Sequence, residues 1–208
     1  MITPSSAIAV IGFGEAGSIL AEDLARRGCS VRAYDILLDD AATAARMRHR
    51  IELAGVDAAP TLQAALRGAK LVISAVTATC AAQVARDSAM HLATGQLYLD
   101  INGVTPASKR DAAQLIEARG AHYVDAAVMA PVASHRLAAS LRLGGSKAAQ
   151  VALALNALGF AARAVSAEAG VTPMPMHTVQ VASDPMSGLS RHERADEPNR
   201  RVPRGELP

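Results

Sequence analysis

Apolar residues along the chain come in short unbroken runs, and between the runs they recur at helical spacing. Ala7–Gly12 (AIAVIG) is a continuous apolar run that stops at a glycine-rich turn, the pattern of a strand buried on both faces. In Glu15–Arg27 the apolar Ile19, Leu20 and Leu24 repeat at helical spacing, and Gly28 ends that helix. Ser30–Tyr34 reads as a second strand closing on Asp35. A helix is predicted over Asp40–Leu53, a brief strand near Val56–Ala58, and a short helix opened by Pro60-Thr61. Lys70–Val76 (KLVISAV) is another buried strand, followed by a helix over Thr79–His91. Gln96–Asn102, Thr105–Arg119 and His122–Val128 repeat the alternation. A strand at Ser140–Leu143, a helix at Ser146–Leu158 and a strand at Phe160–Val165 close it. Strands that are almost continuously apolar, alternating with helices, predict a mainly parallel sheet covered on both faces, a doubly wound α/β domain over residues 1–168.

The pattern then stops. From Val171 to Pro208 no apolar period is sustained, six of the ten prolines fall in this stretch, and RHERADEPNRRVPRGELP is dense in charge of both signs. Such a segment buries too little apolar surface to offset its ordering entropy, so residues 169–208 are expected to be an irregular or disordered tail. Composition adds a second constraint. Half of the chain is hydrophobic but only 2% is aromatic, with no Trp, two Phe and three Tyr, so the core must be built from Ala, Val, Leu and Ile. A net charge of +2 on scattered basic residues argues against nucleic acid. No apolar run reaches the roughly 18–20 residues of a membrane span, and the N-terminus lacks a secretory pattern. Cys29 and Cys80 fit neither a disulfide framework nor a metal spacing, so no metal is expected and a cytoplasmic location is.

The chemistry concentrates in the first turn. Gly12-Phe13-Gly14-Glu15-Ala16-Gly17 is a G-x-G-x-x-G between the first strand and the first helix. Gly12 makes the tight turn, Gly14 lets a pyrophosphate approach the backbone, and Gly17 lets helix and strand pack closely. The helix N-terminus offers free N–H groups and partial positive charge to phosphates. Asp35, at the end of the second strand, is placed to accept hydrogen bonds from a ribose. The combination predicts a Rossmann-type domain that binds a dinucleotide. Asp35 favours NAD: a 2′-phosphate facing it is repelled by roughly 1–4 kcal/mol per unit charge at 4 Å. Ile36-Leu37-Leu38 supply no cation, so NADP would need Arg32 or Arg46. Ligands bind outside the carboxyl ends of strands in such sheets, which adds Val76, Thr77 and Asn102. Thr77 reads equally as a helix N-cap, and Asn102 equally as a turn former before Pro106.

AIAVIGFGEAGSILAEDLARRGCSVRAYD resembles the start of the β-hydroxyacid dehydrogenase family, which includes 6-phosphogluconate and 3-hydroxyisobutyrate dehydrogenases. Asp100-Ile101-Asn102-Gly103-Val104-Thr105-Pro106 resembles that family's substrate-loop motif, D-x-[NS]-[ST]-x-x-P. Asp125–Val132 (DAAVMAPV) is similar to its D-A-P-V-S-G-G segment, and Leu143-Gly144-Gly145-Ser146 to its late G-G turn. The resemblance covers about residues 6 to 168. It implies hydride exchange between NAD(P) and a small hydroxyacid, with decarboxylation in some members, and substrate contacts at Asn102, Gly103, Met129, Ala130 and Pro131. It also implies a catalytic lysine on a helix beyond the cofactor domain, and an all-α domain that closes the site and dimerises. Two departures follow. Gly103 stands where the family carries Ser or Thr, and no lysine follows Lys147. Val171–His177 places Pro173 and Pro175 where the lysine helix is due, and His177 reads as an exposed tail residue. Lys70, Lys109 and Lys147 match no catalytic position. The expectation is therefore no catalytic residue in this chain, loss of the helical domain through a frameshift or early stop near codon 170, and a weakened homodimer. The alternative to a dehydrogenase is an inactive dinucleotide-binding module.

Overall fold

The computed structural model describes residues 5–172, and the expectations placed on residues 173–208, including His177, lie outside them. Eight strands form one sheet: β1 (Ala7–Ile11), β2 (Ser30–Tyr34), β3 (Asp57–Ala58), β4 (Leu71–Ser74), β5 (Leu97–Asp100), β6 (His122–Val128), β7 (Ser140–Gly144) and β8 (Ala161–Ser166). The helices are α1 (Glu15–Arg26), α2 (Ala41–Leu53), α3 (Leu62–Leu66), α4 (Ala78–Ala89), α5 (Pro106–Glu117), α6 (Val132–His135) and α7 (Ala148–Ala157). Strand order is β3-β2-β1-β4-β5-β6-β7-β8. The order reverses direction between β1 and β4, the switch point at which doubly wound sheets open a crevice for ligands.

Alternation along β1 shows how both faces are sealed. Ile8 and Val10 join Leu20 and Leu24 of α1, Met47 and Ile51 of α2, and Val151 and Leu155 of α7. Ala9 and Ile11 join Leu66 of α3, Ala85 and Ala89 of α4, and Ala112 and Ile116 of α5. With no large rings to fill gaps, small alanines bring the helices close to the sheet. The exceptions are Phe13 and Phe160 on one face and, on the other, Tyr98 and Tyr123, fully buried beneath α4 and α5 with ring centroids 6.0 Å apart.

The mainly parallel expectation holds from β3 to β6, but β7 pairs antiparallel with β6, and β8 follows β7 in parallel. A parallel return needs a crossover that carries the chain back along the sheet. Residues 129–139 hold only the one-turn α6 and a 3-10 turn at Arg136–Ala138, so β7 starts at the end where β6 stops. A second 3-10 turn, Ile36–Leu38, follows β2, and neither turn is foreseen by the apolar pattern. Among the described residues no helix is long and apolar enough to cross a membrane.

Candidate functional site

At the carboxyl end of β1 the chain turns with Gly12 at φ +89°, a left-handed conformation that a side chain resists. A Cβ on Gly12 would lie 2.4 Å from the Ala75 carbonyl oxygen, and one on Gly17 would lie 2.0 Å from the Gly12 oxygen. Both glycines are therefore required by backbone packing. Gly14 differs: nothing lies within 4 Å of its missing Cβ, so the backbone there is open to a ligand. Gly14 is also the N-cap of α1 and supplies no side-chain cap, and the first-turn amides have no intrahelical partners. Glu15 is exposed on that first turn and Ala16 is half-buried. Phe13 is fully buried in the core, so this residue presents only its backbone, while the Arg50 guanidinium lies 5.7 Å from its ring centroid.

Asp35 ends β2 and braces this loop. Its Oδ2 accepts the Phe13 N–H at 2.7 Å, and its Oδ1 accepts the Leu37 N–H at 3.0 Å, capping the turn that follows. Each oxygen keeps lone-pair capacity for a further donor. Arg32 donates instead to the carbonyls of Ala64 and Arg67. Arg46 makes no comparable contact among the described residues and stays exposed.

On the far side of the loop, Val76 packs against Gly12 and is held by Asn102, whose Oδ1 accepts the Val76 N–H at 2.7 Å. The Asn102 amide donates to Ser74 Oγ at 3.0 Å and to Asp100 Oδ1 at 2.7 Å, so this buried side chain ties the ends of β4 and β5 together. Thr77 occupies the N-cap position of α4, but its hydroxyl pairs with Thr79 at 3.0 Å and caps nothing. The helices α2, α3 and α5 carry side-chain caps from Asp40, Thr61 and Thr105; α1, α4, α6 and α7 do not, and of these α1 and α4 flank the switch point. Gly103 faces open space. Met129, Ala130 and Pro131 follow β6 on the same rim, with Met129 N–H bonded to the Ser140 carbonyl. The rim thus joins the loops of Gly12–Gly17, Asp35, Val76–Thr77 and Asn102; among the described residues no hydrogen bond links Met129–Pro131 to them.

Beneath this rim lies a buried ionic cluster that sequence reasoning misses. Lys109, 4% exposed, donates to the Asp100 carbonyl at 2.9 Å and sits 3.1 Å from both Asp100 Oδ1 and Asp125 Oδ1. Tyr123 donates to Asp100 Oδ2 at 2.6 Å, while Asp125 Oδ2 accepts from Gly170 N–H and Thr172 Oγ1. Burial foremost, then the charge of Asp100, pushes the Tyr123 phenol far above its ordinary range. The only signal was a lysine three residues beyond Pro106 with aspartates on adjacent strands. Arg136 was also missed. It is the one non-glycine residue at positive φ (53°) among those described, and its guanidinium holds both oxygens of Asp23 and one of Glu22 on α1.

A doubly wound sheet with a glycine turn, an open helix N-terminus and an acidic end to β2 defines a dinucleotide-binding domain. The sequence profile of the NAD-binding domain of 6-phosphogluconate dehydrogenase matches residues 7–168, and the chain belongs to that family. Among solved structures, a conserved hypothetical protein from Sinorhizobium meliloti 1021 is 33% identical with a TM-score of 0.76, over 79% of this chain and 55% of that one. A conserved protein of unknown function, described as structurally similar to 3-hydroxyacid dehydrogenases, is 30% identical with a TM-score of 0.67, over 79% and 59%. The 3-hydroxyisobutyrate dehydrogenase of Mycobacterium tuberculosis, solved with L-serine, shares the fold at 23% identity and a TM-score of 0.67, over 80% and 56%. The chain therefore spans little more than half the length of these structures. No curated protein matches it closely enough to add to this picture.

Proposed function

We propose that the chain binds NAD at the rim of Gly12–Gly17, Asp35, Val76, Thr77 and Asn102, and serves an oxidoreductase of the β-hydroxyacid dehydrogenase type. The observation that carries the reading is the open backbone at Gly14 beside an uncapped α1, with the Asp35 carboxylate braced next to it. Phosphates would rest on the first-turn amides, and Asp35 would accept from the ribose hydroxyls. Arg32 is engaged elsewhere, which favours NAD over NADP. A small hydroxyacid would lie against Asn102, Gly103 and Met129–Pro131, where the open space at Gly103 suits a substrate group in place of a side chain. The cofactor, when bound, supplies the hydride chemistry; Asn102 keeps the Val76 loop in place beneath it.

A second reading, a dinucleotide-binding module without turnover, is favoured by the lysines. Lys109 is sealed between two aspartates, and Lys70 and Lys147 line a cavity with His122 at the amino ends of β4, β5 and β6, the pole opposite the rim. None reaches the rim as an acid or base. Titration with NADH and NADPH, followed by turnover assays on short hydroxyacids, tests both readings. Tighter NADH binding by tenfold or more, with Asp35→Asn narrowing the preference, is the expected result. Absence of binding to either nucleotide overturns the first reading and the second together; binding without turnover selects the module.

A further inference from the structure

On the face away from α1 and α7, helices α4 and α5 lie side by side, and between them runs a groove of about 630 Å³. Arg86, Ala89 and Met90 line it from α4 and its C-terminal end, and Asp111, Leu115 and Arg119 from α5 and the turn just beyond. Met90 is 60% exposed and Leu115 42% exposed, although neither is needed by the rim. Asp111 and Arg119 form no ion pair among the described residues.

The order of these groups is what identifies an occupant. Asp111, Leu115 and Arg119 are spaced by four, so they fall along one stripe, about 6 Å apart per step. Read backwards, the stripe is its own complement. A two-fold axis through Leu115 sets Asp111 of one copy against Arg119 of the other, twice, with the two leucines meeting on the axis. Self-complementarity of one patch is what an isologous dimer interface demands. Along this stripe a uniformly acidic or basic partner would instead meet one matched and one opposed charge, and Arg86, on the α4 side of the groove, is bonded to Gln83 of its own helix. Ala89 and the small Ala118 beside it let two helix pairs approach closely. We propose that this groove is the contact between two copies of the chain, paired antiparallel along α5. The groove lies toward the C-terminal halves of α4 and α5, so pairing leaves the nucleotide rim open, and the proposal does not depend on what the rim binds.

The test is sedimentation equilibrium of the full chain, with circular dichroism to confirm that each variant is folded. The wild type should dimerise, and Asp111→Arg or Arg119→Asp alone should raise the dimer dissociation constant at least roughly tenfold, since each sets like charges together twice. An equimolar mixture of the two variants should recover dimer, because both contacts then pair opposite signs again. Leu115→Arg should abolish association. A wild type that stays monomeric, a dimer indifferent to the single reversals, or a mixture that fails to recover would overturn the proposal. A monomer whose Met90 also resists peroxide would assign the groove to residues 173–208 instead, and overturn it equally.

Discussion

Between β3 and β5 the sheet is parallel and its central strands are sealed on both faces, whereas β7 and β8 run the opposite way and alternate. Leu141, Leu143 and Ala162 are buried against α7, while Arg142, Arg163 and Val165 face outward, with Arg142 and Arg163 direct neighbours across the ladder. The two regions use the same alanine-rich chemistry but meet different demands. The parallel half places loop after loop on one rim and braces them with buried hydrogen bonds from Asp35 and Asn102. The outer half has one dry face only, which shares its core with β1, α1 and α7, and polar anchors add to that contact: Asp125 of the neighbouring β6 on Lys109, and Arg136 on α1. The rim is held by backbone packing and buried hydrogen bonds, and the flank by a one-faced apolar core to which ion pairs are added.

The largest effect should come at the seam between the halves. Lys109→Met leaves Asp100 and Asp125 facing each other without their cation, and should cost about 3–5 kcal/mol in chemical denaturation. A loss below about 1 kcal/mol would show that the two carboxylates do not depend on their cation. Within the parallel half, Gly17→Ala drives a methyl into the Gly12 carbonyl and should cost about 1–3 kcal/mol, together with NADH binding. A smaller and pH-dependent loss tests the tyrosine layer. Burial raises the phenols of Tyr98 and Tyr123 above their unfolded value of about 10, so the fold prefers them protonated. Stability should hold up to about pH 10 and fall as pH rises beyond it, and Tyr123→Phe should show a shallower alkaline fall. The smallest effect separates strain from charge at Arg136. Both Arg136→Gly and Arg136→Ala lose the ion pairs, but glycine accepts φ 53°, so the glycine variant should melt about 2–4 °C above the alanine one.

Much of the parallel half is legible in the residues themselves. AIAVI is apolar without interruption and LVIS is broken only by its last residue, the buried Ser74, because helices cover both faces, and the glycine turn with Asp35 follows from the same local rules. Less of the flank can be read this way. SLRLG and AARAVS declare strands, yet their direction depends on how far residues 129–139 carry the chain, which the strands do not encode. The cluster around Lys109 joins groups from β5, α5, β6 and the segment after β8, and no window of sequence contains it. Arg136 carries no local mark of its backbone, since its partners lie 113 and 114 positions earlier. Asn102 was open to two readings, and its bond to Val76 gives it a bracing role that neither anticipated.

The reversal at β7 also limits how much of the molecule can take part in recognition. Six strands, β1 to β6, deliver their carboxyl ends to one rim, and the seventh and eighth deliver theirs to the other. Insertions after β7 would therefore point away from that rim, whereas the segment after β8 turns back to it, where Gly170 and Thr172 bond Asp125. Changes of ligand preference in this scaffold are therefore to be written into the turns that follow the first six strands and the segment that follows β8, a short stretch of editable chain on an otherwise fixed frame.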